Sequence, residues 1–313
     1  MSQAFLFPGQ GSQAVGMGKD VYEAFSVARD VFQEVDDALH QNLSKLIFEG
    51  PGETLTLTEN AQPALMAVSL AILRVLEKEG GLNLQEKASY VAGHSLGEYS
   101  ALAAAKSFTI ADTARLLRAR GKAMQEAVPV GQGAMAAVLG LDLSDVTDIS
   151  KDVAQEEVCV LANDNCPGQT VLSGHKDAID RAIKAATGRG SKRSLLLPVS
   201  APFHCPLMAP AAQAMEQEFK TVTCVDPVVP LISNVTAADV QKADQIPSLL
   251  VEQITHMVRW RESVLKMAEL GVDTVIEVGS GNVLTGLNKR ICPDMNRITI
   301  NSVEQIESFL KSA

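Results

Sequence analysis

The 313 residues are 46% hydrophobic and 20% charged, the balance of a folded globular chain, which excludes a largely disordered protein and predicts one large domain or two unequal ones. A formal net charge of −10 sets the molecule against nucleic acid and anionic membranes, so an acidic partner would need a local basic patch. Five scattered cysteines (Cys159, Cys166, Cys205, Cys224, Cys292) without a C-x-x-C pair suit neither a disulfide framework nor a zinc site, and fit a reducing cytoplasm.

The charge-free apolar stretch at 63–73 is too short to cross a bilayer. Pro8-Gly9 interrupts the first apolar run and no basic residue precedes Lys19, so no signal peptide is expected. These features predict a soluble cytoplasmic protein.

Residues 4–7 read as a buried strand, and 21–39 as a helix with Val21, Phe25, Ala28 and Phe32 on one face. Asn60 is the expected N-cap of a helix running to Lys78, with Pro63 in its first turn. A strand at 90–92 and helices at 96–105 and 111–126 continue an alternation that argues for an α/β fold with a mostly parallel sheet.

The middle departs from that rhythm. Strand 134–139, helix 143–155, strands 158–162 and 169–173, helix 178–186 and strand 194–197 follow the β-α-β-β-α-β order of a ferredoxin-like unit. Gly131-Gln132-Gly133 and Pro198 bracket it with hinge chemistry, so a small subdomain (129–197) is expected within a large one (1–128 and 198–313). A helix near 206–219, a strand at 230–233, helices at 246–255 and 261–270, a strand at 274–278 and a helix at 283–291 then resume the first pattern.

Gly93-His94-Ser95-Leu96-Gly97 stands between a predicted strand and a predicted helix, the context of a G-x-S-x-G nucleophile elbow. There the turn lifts Ser95 above the sheet edge and aims the Leu96 N–H, at a helix start, toward charge developing on a substrate. A serine needs a base. His204, in Ser200-Ala201-Pro202-Phe203-His204-Cys205, is the candidate that Ser95 brings forward; His94 lies in the elbow itself, and His40, His175 and His256 read as surface histidines. No carboxylate between Ser95 and His204 stands in a marked loop, so the third group is either unrecognised or a backbone carbonyl.

The opening loop Phe7-Pro8-Gly9-Gln10-Gly11-Ser12-Gln13 fits either a second oxyanion donor or a tight turn that binds nothing. Arg115, Arg118 and Arg120 share one helix; one turned toward the serine would suit a substrate carboxylate, and spacing does not choose among them. No dinucleotide fingerprint, Walker A sequence or metal-ligand spacing is present, so neither cofactor nor metal is expected.

Several blocks in order carry a family resemblance: the opening loop, Thr58-Glu59-Asn60-Ala61-Gln62-Pro63-Ala64, the elbow through Glu98, and Arg120-Gly121-Lys122. Ala162-Asn163, Pro167-Gly168-Gln169, the His204 segment, Glu277-Val278-Gly279 and Leu284-Thr285-Gly286-Leu287 complete it. Together they resemble the malonyl-CoA:acyl-carrier-protein transacylases of fatty-acid synthesis over nearly the whole chain. The resemblance implies a hydrolase-like large subdomain with an inserted ferredoxin-like one. It implies malonyl transfer from malonyl-CoA to the phosphopantetheine thiol of acyl carrier protein through a malonyl-serine ester.

By the same resemblance Ser95 is the nucleophile and His204 the base, with Gln10 and Leu96 N–H as oxyanion hole. Arg120 clamps the malonyl carboxylate, the Gln253 main-chain carbonyl orients the histidine and Gln62 lines the site. Phe203 is the bulky type that accompanies malonyl rather than methylmalonyl in polyketide-synthase relatives. The one basic run, with Arg189, Lys192 and Arg193, is a candidate docking patch for the acidic carrier protein, and equally a solvated loop. Rival readings are a malonyl transferase of a polyketide or malonate decarboxylase pathway, a serine thioesterase, and a non-catalytic carrier-binding module.

Overall fold

The structure is a computed structural model that describes residues 2–199 and 201–312; Ser200, quoted above with the His204 segment, lies outside them. Its strands are β1 (Gln3–Phe7), β2 (Ala88–Gly93), β3 (Gly133–Leu139), β4 (Cys159–Cys166), β5 (Gln169–His175), β6 (Arg193–Leu196), β7 (Leu231–Ile232), β8 (Asp239–Val240), β9 (Thr274–Val278) and β10 (Asn296–Ile300). Six of them form one sheet in the order β10-β9-β1-β2-β7-β8, and the other four a second sheet in the order β4-β5-β3-β6.

In the larger sheet all neighbours run parallel except the β7–β8 pair. Alternation along β1 explains why both faces are covered: Phe5 and Phe7 enter one core, while Ala4 and Leu6 join Trp260, Val264 and Val275 in the other. The helix Thr58–Lys78 lies within the first core and is buried on nearly every side, as its apolar residues all round require. The smaller sheet is wholly antiparallel, with β5 inserted between β3 and β4, and its helices Leu143–Ala154 and Lys176–Gly188 pack Val146, Ile149 and Ile179 against it. This is the ferredoxin-like arrangement expected from the element order. Its edge strand β4 is stitched to the rest of the chain: Val258 N–H donates to Ala162 O, Asp164 N–H donates to Val258 O, and Arg261 pairs with the buried Asp164 at 2.8 Å.

Three features differ from the sequence expectation. The helix expected at 21–39 is two, Lys19–Ala24 and Ser26–Leu39, because Phe25 is extended (φ −123°, ψ 126°). Arg29 donates to Tyr22 O and Glu23 O, satisfying carbonyls that the break exposes, while Phe25 stays packed on the core. Asn60 is no cap: the helix starts at Thr58, Pro63 falls in its second turn, and the Asn60 amide donates to Thr54 O, tying down the preceding short helix Gly52–Thr56. The helices Leu43–Glu49, Gly52–Thr56, Leu84–Lys87 and Val303–Ser312, and strands β8 and β10, were not anticipated.

Candidate active site

β1, β2 and β7 end at one edge of the parallel sheet, and the segments that follow them converge there, where open α/β sheets bind ligands. After β2 the chain turns sharply into the helix Leu96–Ala104, and Ser95 sits in the turn with φ 53° and ψ −109°, a strained conformation for a non-glycine residue. The glycines are needed for space. A Cβ on Gly93 would lie 1.9 Å from the Gly97 carbonyl, and one on Gly97 would lie 2.2 Å from Phe7 O. Asn234, just beyond β7, holds the turn like a second peptide unit: its Oδ1 accepts from Ser95 N–H at 2.7 Å and its Nδ2 donates to Gly93 O at 2.7 Å.

His204, also at positive φ (57°), approaches from the segment after the small sheet, with its Nε2 2.8 Å from Ser95 Oγ. Its Nδ1 lies 2.8 Å from Gln253 O, and a carbonyl can only accept, so the proton resides on Nδ1 and Nε2 is left to accept from the serine. Burial, then the nearby Arg120 cation, hold this imidazole at a pKa of about 3, so the ring is neutral at physiological pH.

Among the three arginines, geometry singles out Arg120. Arg115 is exposed and pairs with Asp112, and Arg118 is only half-buried. Arg120 is 1% exposed; its Nη1 donates to Gln62 Oε1 at 2.7 Å, and its Nη2 to Gln253 Oε1 at 2.7 Å and Ser95 Oγ at 3.1 Å. The guanidinium also lies 5.4 Å from the centre of the Tyr99 ring.

A cavity of about 370 Å³ opens onto this group, lined by Gln10, Gln62, Ser95, Arg120, Phe203 and His204 among others. Neither the Gln10 nor the Leu96 N–H finds an acceptor among the described residues, and Leu96 is the first residue of its helix, where such groups point outward. Gln10 lines the cavity, whereas Leu96 is not among its walls. Among the described residues no group of His, Cys, Asp and Glu is arranged to hold a metal.

Residues 4–300 match the acyl transferase domain family. The chain belongs to that family. It is 46% identical over 310 residues to the malonyl CoA-acyl carrier protein transacylase of Bacillus subtilis, covering 99% of this chain and 96% of that one. It superposes on an acyl-carrier-protein-S-malonyltransferase from Bartonella henselae with a TM-score of 0.97 at 55% identity, covering 100% of this chain and 99% of that one. A malonyl-transacylase solved in complex with its type II PKS acyl-carrier protein matches with a TM-score of 0.96 at 42% identity, each chain covered over 100%.

In this acyl transferase the expected Ser95, His204, Arg120, Gln62 and Gln253 are joined by hydrogen bonds, and Gln10 and Phe203 line the same cavity. His94 also faces the cavity, but its Nε2 bonds Asn165 Oδ1 of β4 at 2.9 Å. His175 accepts from Val158 N–H, away from the site, and His256 is exposed. Of the basic run, Lys192 and Arg193 are exposed, whereas Arg189 pairs with Asp152 at 2.8 Å, which cancels a third of the patch's charge.

Sequence reasoning missed Glu98 and Asn234. Glu98 is 1% exposed and pushed up to a pKa of about 7 by burial, against the pull of its bonds and of Arg120. The available signal was its place three residues after Ser95, on the first turn of the elbow helix, where a carboxylate faces the helix start. Asn234 carried no signal, since only the fold brings the end of β7 beside β2.

Proposed function

We propose that the protein transfers a malonyl group from malonyl-CoA to the phosphopantetheine thiol of acyl carrier protein in two steps through a malonyl-Ser95 ester. In the first step His204 Nε2 takes the Ser95 hydroxyl proton as Oγ bonds to the thioester carbonyl. The Gln10 and Leu96 N–H groups hold the oxyanion. The carbon–sulfur bond then breaks and the departing CoA sulfur takes the proton from His204. In the second step the carrier thiol gives its proton to His204 and attacks the ester, and Ser95 leaves with that proton. The Gln253 carbonyl keeps the imidazole in the required tautomer throughout. Arg120, with Gln62 fixing its other end, receives the malonyl carboxylate as a bidentate partner, and Phe203 crowds any α-methyl group.

The observation that carries this reading is a serine bonded at once to a neutral histidine and to a buried arginine. A hydrolase needs the first partner alone. The second fits an acyl group that carries its own negative charge, which disfavours a simple thioesterase. We assign the carrier of fatty-acid elongation, in keeping with the full-length likeness to malonyl CoA-acyl carrier protein transacylases; the type II PKS relative makes a polyketide carrier the second reading. Among the described residues no helix is long and apolar enough to cross a membrane, and all five cysteines are unpaired, so we take the compartment to be the reducing cytoplasm.

The test is an intact mass after mixing with malonyl-CoA and no carrier, with acetyl-CoA and Ser95→Ala as controls. A malonyl adduct absent from both controls is the expected result. Free malonate without an adduct would make the protein a thioesterase.

A further inference from the structure

We propose that Glu98 is a positioning residue that holds the Gln253 side chain in one orientation and thereby aims Arg120 at the acyl group on Ser95. This rests on the role given above to Arg120.

Gln253 touches every part of the site. Its main-chain carbonyl accepts from His204, its Oε1 accepts from Arg120 Nη2 at 2.7 Å, and its Nε2 donates to Glu98 Oε2 at 2.7 Å and to Ser95 O at 3.0 Å. An amide has one accepting and one donating end. Rotated by half a turn, its oxygen would face the Ser95 carbonyl, which never donates, and the Glu98 carboxyl group, which does not donate when ionised. Its nitrogen would then face the Arg120 N–H, which does not accept. The contacts with Arg120 and Ser95 O would turn repulsive whatever the state of Glu98, and that with Glu98 as well once it is ionised. The backbone carbonyl of Ser95 contributes one fixed acceptor, but Glu98 makes the shorter bond and, in its ionised form, adds a charge.

The carboxylate is itself fixed. Its other oxygen accepts from Asn234 N–H at 3.3 Å, and Asn234 is the residue that braces the elbow, so Glu98 has no freedom to swing away. A buried carboxylate is costly to hold without function or compensation. The chain of contacts Glu98–Gln253–Arg120–Ser95 runs unbroken to the reacting oxygen through buried polar groups. Low polarity around such a network sharpens the penalty for any misdirected donor.

The experiment compares the wild-type protein with Glu98→Ala, Glu98→Gln and Gln253→Met, the last of which keeps the main-chain carbonyl for His204. Two rates are read: Ser95 malonylation across a range of malonyl-CoA concentrations, and Ser95 labelling by a fluorophosphonate, which carries no carboxylate. Glu98→Ala should raise KM for malonyl-CoA about tenfold or more while fluorophosphonate labelling stays within about threefold, and Gln253→Met should raise KM by at least as much. Glu98→Gln, whose amide oxygen can still accept from Gln253 Nε2, should return KM to within about threefold of wild type. Parallel loss of malonylation and labelling would mean that Glu98 only supports the elbow, and an unchanged KM would mean that it does nothing for Arg120; either overturns the proposal. Wild-type protein that labels but takes no malonyl group would overturn the reading of Arg120 as well, whereas normal malonylation beside unshifted variants would overturn this proposal alone. If Glu98→Ala does not fold, Glu98→Met, which keeps the volume but offers no carboxylate, is read in the same way.

Discussion

Replacing Arg120 by alanine isolates what a buried cation contributes to acyl selection. The guanidinium is 1% exposed, and its hydrogen bonds go to the uncharged side-chain oxygens of Gln62, Gln253 and Ser95, with Glu98 lying one step further off behind Gln253. A malonyl carboxylate adds a directly bonded counter-charge, whereas an acetyl group leaves the cation without a direct one. Each hydrogen bond between charged partners is worth about 1.5–3 kcal/mol, so a two-pronged contact is worth about 3–6 kcal/mol before exchange. The carboxylate displaces at least one existing contact, such as that to Ser95 Oγ, which puts the net value near the lower end. At about 1.4 kcal/mol per tenfold, kcat/KM for malonyl-CoA should fall roughly 10²- to 10³-fold in Arg120→Ala. Acetyl-CoA should lose nothing, and gain if the unpaired cation hinders it. Arg120→Lys keeps a charge but loses the fork and should fall between the two. The assay is release of free CoA thiol from each thioester, with fluorophosphonate labelling of Ser95 as a check on the elbow. A malonyl-to-acetyl ratio that moves less than about threefold would refute the argument.

Gly93→Ala should destabilise the fold by about 3 kcal/mol or more, or abolish soluble expression, because its Cβ would meet backbone rather than a movable side chain; urea unfolding measures it, and a change near zero would show the elbow to be pliable. Stability against pH should carry two opposed slopes. The contribution of His204, held at about 3 instead of 6.5, is complete above pH 6.5 and is lost as pH falls toward 3, whereas that of Glu98, raised from 4.5 to about 7, is complete below pH 4.5 and is lost as pH rises to 7. Glu98→Gln removes the second slope, so its Tm should fall more steeply than wild type between pH 6.5 and 4.5, and parallel curves would contradict the assignment. Reversing the charge of the exposed Lys192 and Arg193 should raise KM for the carrier protein several-fold and steepen no other step; malonylation of Ser95 by malonyl-CoA alone should be untouched, and an unchanged carrier constant would assign docking elsewhere.

Where the chain repeats a simple period, its sequence was enough. The inserted β-α-β-β-α-β unit was legible because each strand alternates or runs apolar and glycine or proline marks its borders. The break at Phe25 was not, since the residue keeps its apolar side chain on the core while its backbone turns extended, and periodicity reads only the former. Asn60 misled for a related reason. A residue type that caps helices also bonds other backbone carbonyls, and here the target is Thr54 O. Strand β10 alternates Arg297 and Thr299 with the half-buried Ile298 and the buried Ile300 at a sheet edge, a weak pattern that only pairing with β9 makes into a strand.

The site divides along the same line. Ser95 announces itself because a strained turn demands glycines at fixed offsets, and that demand is local. His204, Arg120 and Gln253 come from distant segments: His204 came forward as the base that Ser95 needs, whereas Arg120 and Gln253 were fixed through resemblance, since residue spacing left Arg115, Arg118 and Arg120 equivalent. Asn234 was invisible to both and Glu98 offered only its place beside Ser95, because their work is done on backbone and side-chain groups that folding brings to them. Asn234 replaces peptide hydrogen bonds that the elbow cannot make for itself, and Glu98 fixes which end of an amide faces a cation. Such residues have no pattern of their own. They follow from a constraint that appears only after folding: the Gln253 amide has one donating and one accepting end, and in this site one arrangement of it satisfies Glu98, Ser95 and Arg120 together.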